Sequence, residues 1–181
     1  EALSCSATVQ AHWKHSQDAS LQLVAGKSLA ALGRTHEALP HVEWAVRIGR
    51  SHNEYAAVYL YGQLLFSHSS PESAIRQFER AIQLQPESVD AHVLLGRTFY
   101  KARMYQQALH EADSVSSATF EVFLLRAQSA AKLGKSERSI RAFESSLNLS
   151  PANGAAMRGL ANILYHSGDL YRALRVGRSA L

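Results

Sequence analysis

The sequence predicts an all-α protein, an array of antiparallel helix pairs restated about every 34 residues, and three observations predict it. Small residues flanked by helically spaced apolar ones recur at Gly26, Gly62, Gly96, Ala127 and Ala161, at separations of 36, 34, 31 and 34 residues. Parallel ladders follow each of them, one at Ala38, Ala74, Ala108, Ser139 and Ala173 and another at Ala45, Ala81, Val115, Ser146 and Ala180. Only Pro40, Pro71, Pro86 and Pro151 interrupt a chain rich in Ala, Leu, Ser, Gln, Arg and Glu, a composition that favours helix. An apolar fraction of 46% with 19% charged residues belongs to a folded chain able to bury a core, not to a disordered one.

Taken in order, residues 1–18 match no unit and are expected to form a helical segment, either the second half of a truncated repeat or a cap. Units then run over 19–54, 55–88, 89–119, 120–153 and 154–181. Leu32-Gly33, Leu133-Gly134 and Ser167-Gly168 fall between paired helices, where Gly can take the left-handed conformation that closes a helix. In the second unit, Ser70-Pro71-Glu72 places Pro in the first turn of the second helix, with Ser70 expected to cap it. Pro86 and Pro151 end second helices. The third unit is three residues short around Val115 to Thr119, so its second helix is expected to be trimmed. Asn53 and Glu54 add two residues after the first unit, and Arg126 stands in a column that is otherwise apolar.

Between the second and third ladders sit Val42, Phe78, Ala112, Phe143 and Gly177. Small, small, aromatic, small and proline positions in that order resemble the tetratricopeptide repeat, whose unit is two antiparallel helices in about 34 residues. Tyr55 to Ser88 carries the pattern best, with Tyr61-Gly62, Ala74, Phe78, Ala81 and Pro86; Phe120 to Asn153 follows. The resemblance covers residues 19–181 and implies a right-handed α–α superhelix. The tryptophan of the family pattern is absent, replaced by Gln22, Val58, His92, Phe123 and Met157. Arrays of this kind resemble those of the anaphase-promoting complex and of ciliary transport complexes, the short third unit being reminiscent of the former.

In that family the first helices line a concave groove, which directs attention to their columns around the small residue. One place after it stand Lys27, Gln63, Arg97, Gln128 and Asn162, a wholly polar row. Four and five places after it come Tyr100, Lys101, Lys132 and Tyr165, and three before it Leu23, Tyr59, Val93, Leu124 and Arg158. Amides can bond an extended backbone, tyrosines supply contact area with a polar tip, and Arg or Lys can pair a carboxylate. The resemblance thus implies an extended, acidic or carboxylate-bearing protein or peptide segment as partner. The Lys and Asn clamp by which chaperone adaptors of the family hold a carboxylate is not matched. Leu23 and Lys27 replace its first pair, and Tyr59 replaces its next Lys.

Other chemistries find less support. A single cysteine, Cys5, allows neither an internal disulfide nor a cysteine-based zinc site and fits a reducing, intracellular setting in cytoplasm or nucleus. His12 and His15 have helical i, i+3 spacing but no third ligand nearby, and the other histidines, among them His36, His41, His52 and His68, are expected at helix ends and loops, so no metal or cofactor is expected. No Gly-rich phosphate loop and no nucleophile elbow occurs, and the protein is not expected to be an enzyme. The net charge of +4 is scattered rather than gathered into a basic block, against nucleic acid. No apolar run approaches the roughly 20 residues that span a bilayer. The chain begins at Glu1 and stops at Leu181 inside a helical pattern, as a fragment would. The expected function is a non-catalytic scaffold or adaptor. The alternatives are a structural subunit that self-associates through its end repeats and a regulatory module of a larger enzyme.

Overall fold

The computed structural model describes residues 18–48, 54–68 and 70–179. Apart from Asp18, the N-terminal segment 1–18 lies outside them, as do Cys5, His12, His15, His52, Asn53 and Ala180. Among the described residues there are ten helices and no strand. They fall into two compact units that divide between Pro86 and Glu87. The first unit holds α1 (Ala19–Ala31), α2 (Thr35–Ile48), α3 (Glu54–Ser67) and α4 (Pro71–Leu84). The second holds α5 (Val89–Lys101), α6 (Tyr105–Ser114), α7 (Phe120–Lys132), α8 (Ser136–Leu149), α9 (Gly154–His166) and α10 (Leu170–Ser179). Within each unit every helix packs on the next, and first helices also touch the first helix that follows. The predicted all-α solenoid of antiparallel helix pairs is the fold observed.

The small ladder exists because helices cross at backbone distance there. A Cβ on Gly26 would overlap Val42, and one on Gly62 would stand 2.7 Å from the Phe78 ring. Val42, Phe78, Ala38, Ala74 and Ala81 are fully buried. In the second unit Phe143 plays the part of Phe78, but the residue beneath its ring is Gly159 of the following helix, two places before the Ala161 singled out in the sequence. Serines in the small columns of α8 remain buried because their hydroxyls are bonded. Ser139 Oγ donates to the Ala127 carbonyl at 2.9 Å and Ser146 Oγ to that of Phe143 at 2.7 Å.

Each turn inside a pair is three residues long and is closed by backbone alone. The last turn residue donates its N–H five residues back into the first helix, as in Arg34 to Leu29 (2.9 Å), Met104 to Phe99 (2.9 Å), Lys135 to Ala130 (3.0 Å) and Asp169 to Leu164 (3.0 Å). The carbonyl of the same residue then accepts the fourth N–H onward, which starts the second helix. This corrects the expectation for Ser70. Its N–H donates to Leu65 and its carbonyl accepts from Ala74, so the backbone does the closing and its hydroxyl makes no cap, although Pro71 opens α4 as predicted. Side-chain caps appear instead at the first helices. Asp18, Ser88, Thr119 and Asn153 accept from N–H groups two or three residues on, each standing eight places before its small residue.

Gly33, Gly134 and Gly168 adopt φ of 74°, 72° and 86°, the left-handed turn residues expected. Arg103 takes the equivalent place in the third turn at φ 62°. Pro40 lies inside α2 on its exposed side, and the helix runs on past it. The histidine expectation needs a correction too. His41 and His92 lie in mid-helix, half-buried, bonded to Gln22 at 2.6 Å and to Glu111 at 2.8 Å.

The short third repeat ends α6 after ten residues, against fourteen in α2, α4 and α8. Early termination leaves carbonyls without intrahelical partners. Arg126 of α7 answers one of them, donating from Nη2 to the Ala112 carbonyl at 2.7 Å and from Nε to Asp113 at 3.0 Å. Asp113 also pairs with Arg138 of α8. The arginine in an apolar column is thus the helix cap that the shortened repeat requires.

Two stability measurements follow. A non-glycine residue in the left-handed region costs about 1–2 kcal/mol, so Arg103→Gly should raise unfolding stability by about 1 kcal/mol in urea titration. Arg126→Met keeps much of the stem but uncaps α6 and leaves Asp113 with one partner fewer, and should lower stability by about 1–3 kcal/mol.

Candidate functional site

The second unit contains a recess of about 470 Å³ on the side formed by its first helices. Phe143 and Gly159 lie at its base with Ile163, and Tyr100, Gln128, Lys132, Asn162 and His166 surround it. The spacing of repeats produces this grouping. Gln128 and Asn162 occupy the same column of α7 and α9, and Lys132 and His166 share the column one turn later, so equivalent side chains stand side by side along the stack. Tyr100 from the end of α5 closes one flank, its ring edge-on to Tyr105 at 5.4 Å and 61°.

Four of the predicted residues, Tyr100, Gln128, Lys132 and Asn162, therefore meet in one place. Tyr165 is exposed and belongs to a separate hollow between α9 and α10 that shares Asn162 with the recess. Arg97 and Lys101 lie exposed on α5 without lining the recess. Arg158 is also exposed, but its guanidinium turns back toward Gly154 at the start of α9, its Nη1 standing 3.2 Å from the place a Cβ there would take. In the first unit Lys27 is exposed and Gln63 half-buried.

The column three places before the small residue is mostly core. Leu23 and Val93 are buried, Leu124 packs against the α7–α10 core, and Tyr59 stacks on Tyr55 at 5.6 Å and sets its edge against Phe78 at 6.2 Å. These side chains fill the seam within the helix pair, so that row supplies packing rather than groove lining. His166 was not singled out in the sequence, and its place in the Lys132 column was the signal available.

Chemically the recess offers two amides, each both donor and acceptor, an ammonium, an imidazole and an aromatic flank over an apolar base. Neighbouring helices lie roughly 8–10 Å apart, so Gln128 and Asn162 match positions about three residues apart on an extended chain. Among the described residues no group of three or more His, Cys, Asp and Glu could hold a metal ion, and no helix is long and apolar enough to cross a membrane. Burial, helped by neighbouring Tyr105, raises the Tyr100 phenol above its ordinary value near 10.

Residues 43–115 match the family described as Anaphase-promoting complex, cyclosome, subunit 3, and residues 124–181 match the family described as Tetratricopeptide repeat. The TPR repeat-containing protein YpiA of Bacillus subtilis (strain 168) is 28% identical over 148 residues, 80% of this chain and 34% of its own length. The chain thus spans about a third of that relative. Among solved structures, MamA 41-end from Desulfovibrio magneticus RS-1 superposes with a TM-score of 0.83 at 19% identity, covering 90% of this chain and 92% of MamA. YrrB, described as a TPR protein with an unusual peptide-binding site, superposes with a TM-score of 0.76 at 18% identity over 94% of this chain and 89% of its own.

The raised Tyr100 pKa has a sign that can be checked. The fold holds the neutral phenol, so its stabilisation is complete below the unfolded value near 10 and is lost as pH rises through the higher folded value. In alkaline titration followed by phenolate absorbance, Tyr100→Phe should remove a phenol that ionises above 10 and should lessen the loss of stability at high pH. Loss of a phenol that ionises at or below 10 would refute the packing described.

Proposed function

As the chain belongs to the tetratricopeptide-repeat superfamily, we propose that it is a non-catalytic scaffold that captures an extended segment of another protein along its first helices. We lay its repeats out over 19–54, 55–88, 89–119, 120–153 and 154–181. The observation that carries the reading is the convergence of Gln128, Asn162, Lys132 and Tyr100 on one open recess. The two amides bond the backbone of the captured segment, and the apolar base takes one of its side chains. Lys132, with His166 beside it, receives an acidic side chain or a terminal carboxylate. Arg97 and Lys101 extend the positive character along α5, and Lys27 with Gln63 offers the same row chemistry in the first unit. A reducing, intracellular setting agrees with a chain of one cysteine.

The test is selection from a peptide library displayed with free C-terminal carboxylates, followed by fluorescence anisotropy. Peptides with acidic or carboxylate ends should be enriched and should bind more weakly as salt rises. Gln128→Ala and Asn162→Ala should each weaken binding by about 1 kcal/mol, roughly fivefold. Lys132→Glu should weaken it about tenfold, with smaller losses from Arg97→Glu and Lys101→Glu. If Asn162→Ala and Lys132→Glu bind the selected peptides like the parent chain, the groove reading fails.

A further inference from the structure

Inside each unit, the joint between one helix pair and the next is built from two residues that share one space. One stands four places after the small residue of a second helix, the other two places before the small residue of the following first helix. Val42 and Leu60 pack in one cluster. Phe143 fills the space over Gly159, where a Cβ would overlap its ring. Where Ala112 is small, Leu125 is large, and reaches back until its Cδ2 stands 2.5 Å from the place a Cβ on Gly96 would take. An ion pair spans two of these joints, Asp113 with Arg138 and Glu144 with Arg172, acid on the earlier second helix and arginine on the later.

Among the described residues nothing precedes α1 and nothing follows α10, and at these ends the same columns recur with size and charge inverted. Gly177 stands in the Phe143 column, and over it opens a hollow of about 650 Å³ lined by Tyr165, Leu170, Leu174 and Arg178 among others. Leu170 and Leu174 are 59% and 57% exposed. Arg178 occupies the column of Asp113 and Glu144. At the other end Leu21 and Val24 of α1 are 45% and 54% exposed, although their counterparts Val122 and Leu125 in α7 are buried. Glu37 occupies the column of Arg138 and Arg172, on an exposed surface where it also holds Arg34 at 2.7 Å.

We infer that two copies of this chain associate head to tail, α1 of one docking on α9 and α10 of the other, with Val24 entering the hollow over Gly177 and Glu37 meeting Arg178. A foreign apolar helix could cover the hollow. What selects a second copy is the double inversion, in which a glycine meets a large side chain and an arginine meets an acid. The inference rests on the repeat register and is independent of the peptide-groove reading. Because the contact uses different surfaces on the two partners, each bound copy still offers both ends.

The test is sedimentation velocity with light scattering across a wide concentration range, on the chain and three variants. The parent should rise in mass with concentration, and rise less at high salt. Gly177→Phe has open space around its new side chain, so it should keep its helical circular dichroism and melting temperature while weakening association about tenfold or more. Arg178→Glu and Glu37→Arg should each weaken it about tenfold by setting like charges opposite each other. Mixing those two variants in equal amounts sets opposite charges at every alternating joint and should restore association to within about twofold of the parent. A chain that stays monomeric throughout, association that Gly177→Phe leaves unchanged, or a mixture no stronger than its components would each overturn the inference.

Discussion

Everything in this structure depends on how closely adjacent helices can approach, and that is set by sharing of volume between side chains on successive helices. Interiors pack at crystal-like density, so a residue that grows on one side of a joint obliges its neighbour to shrink. Phe143 over Gly159 and Leu125 over Ala112 are two solutions of the same sum. The rule has a functional side. It spends large apolar residues on the seams between helices and leaves the outward columns of α5, α7 and α9 free to hold amides, lysines and a tyrosine. The recess around Gln128 and Asn162 exists because the packing beneath it is settled by Phe143 and Gly159, which make no demand on the residues above.

The turns complete the frame at little cost in sequence. Because backbone groups close all of the three-residue turns, side chains as different as Arg34, Ser70, Met104, Lys135 and Asp169 serve at one position. The first helices follow a different logic, since a longer loop precedes each and the backbone has no nearby helix end to bond. A side-chain oxygen supplies the cap there, at Asp18, Ser88, Thr119 and Asn153.

Much of the fold was legible in the sequence because small residues at helix crossings are constrained by backbone proximity, which leaves few substitutes. The ladders through Gly26, Gly62, Ala38 and Ala74 carry that constraint openly. Features decided by pairs of residues were harder to read. Gly159 makes sense only when Phe143 is known to lean onto it, and Arg126 looks misplaced until α6 is seen to end early enough to leave the Ala112 carbonyl in need of a donor. Of the candidate site, the row one place after the small residue was read from position alone, and Gln128 and Asn162 stand in the recess. The row three places before it misleads, because Leu23 and Val93 show its true, inward orientation, and a polar Arg158 in that column reports only that a helix end is exposed.

The ionic clasp among Arg126, Asp113 and Arg138 changes the mechanics of one joint relative to the rest. Apolar seams resist separation but slide readily, since dispersion has no preferred direction. Guanidinium bonds to a carboxylate and a carbonyl are directional, and they hold their geometry until they break. Under load, a solenoid coil whose turns are greased by leucine and alanine would flex by small increments. The turn at α6 and α7 would act as a stiff link and pass strain to its neighbours.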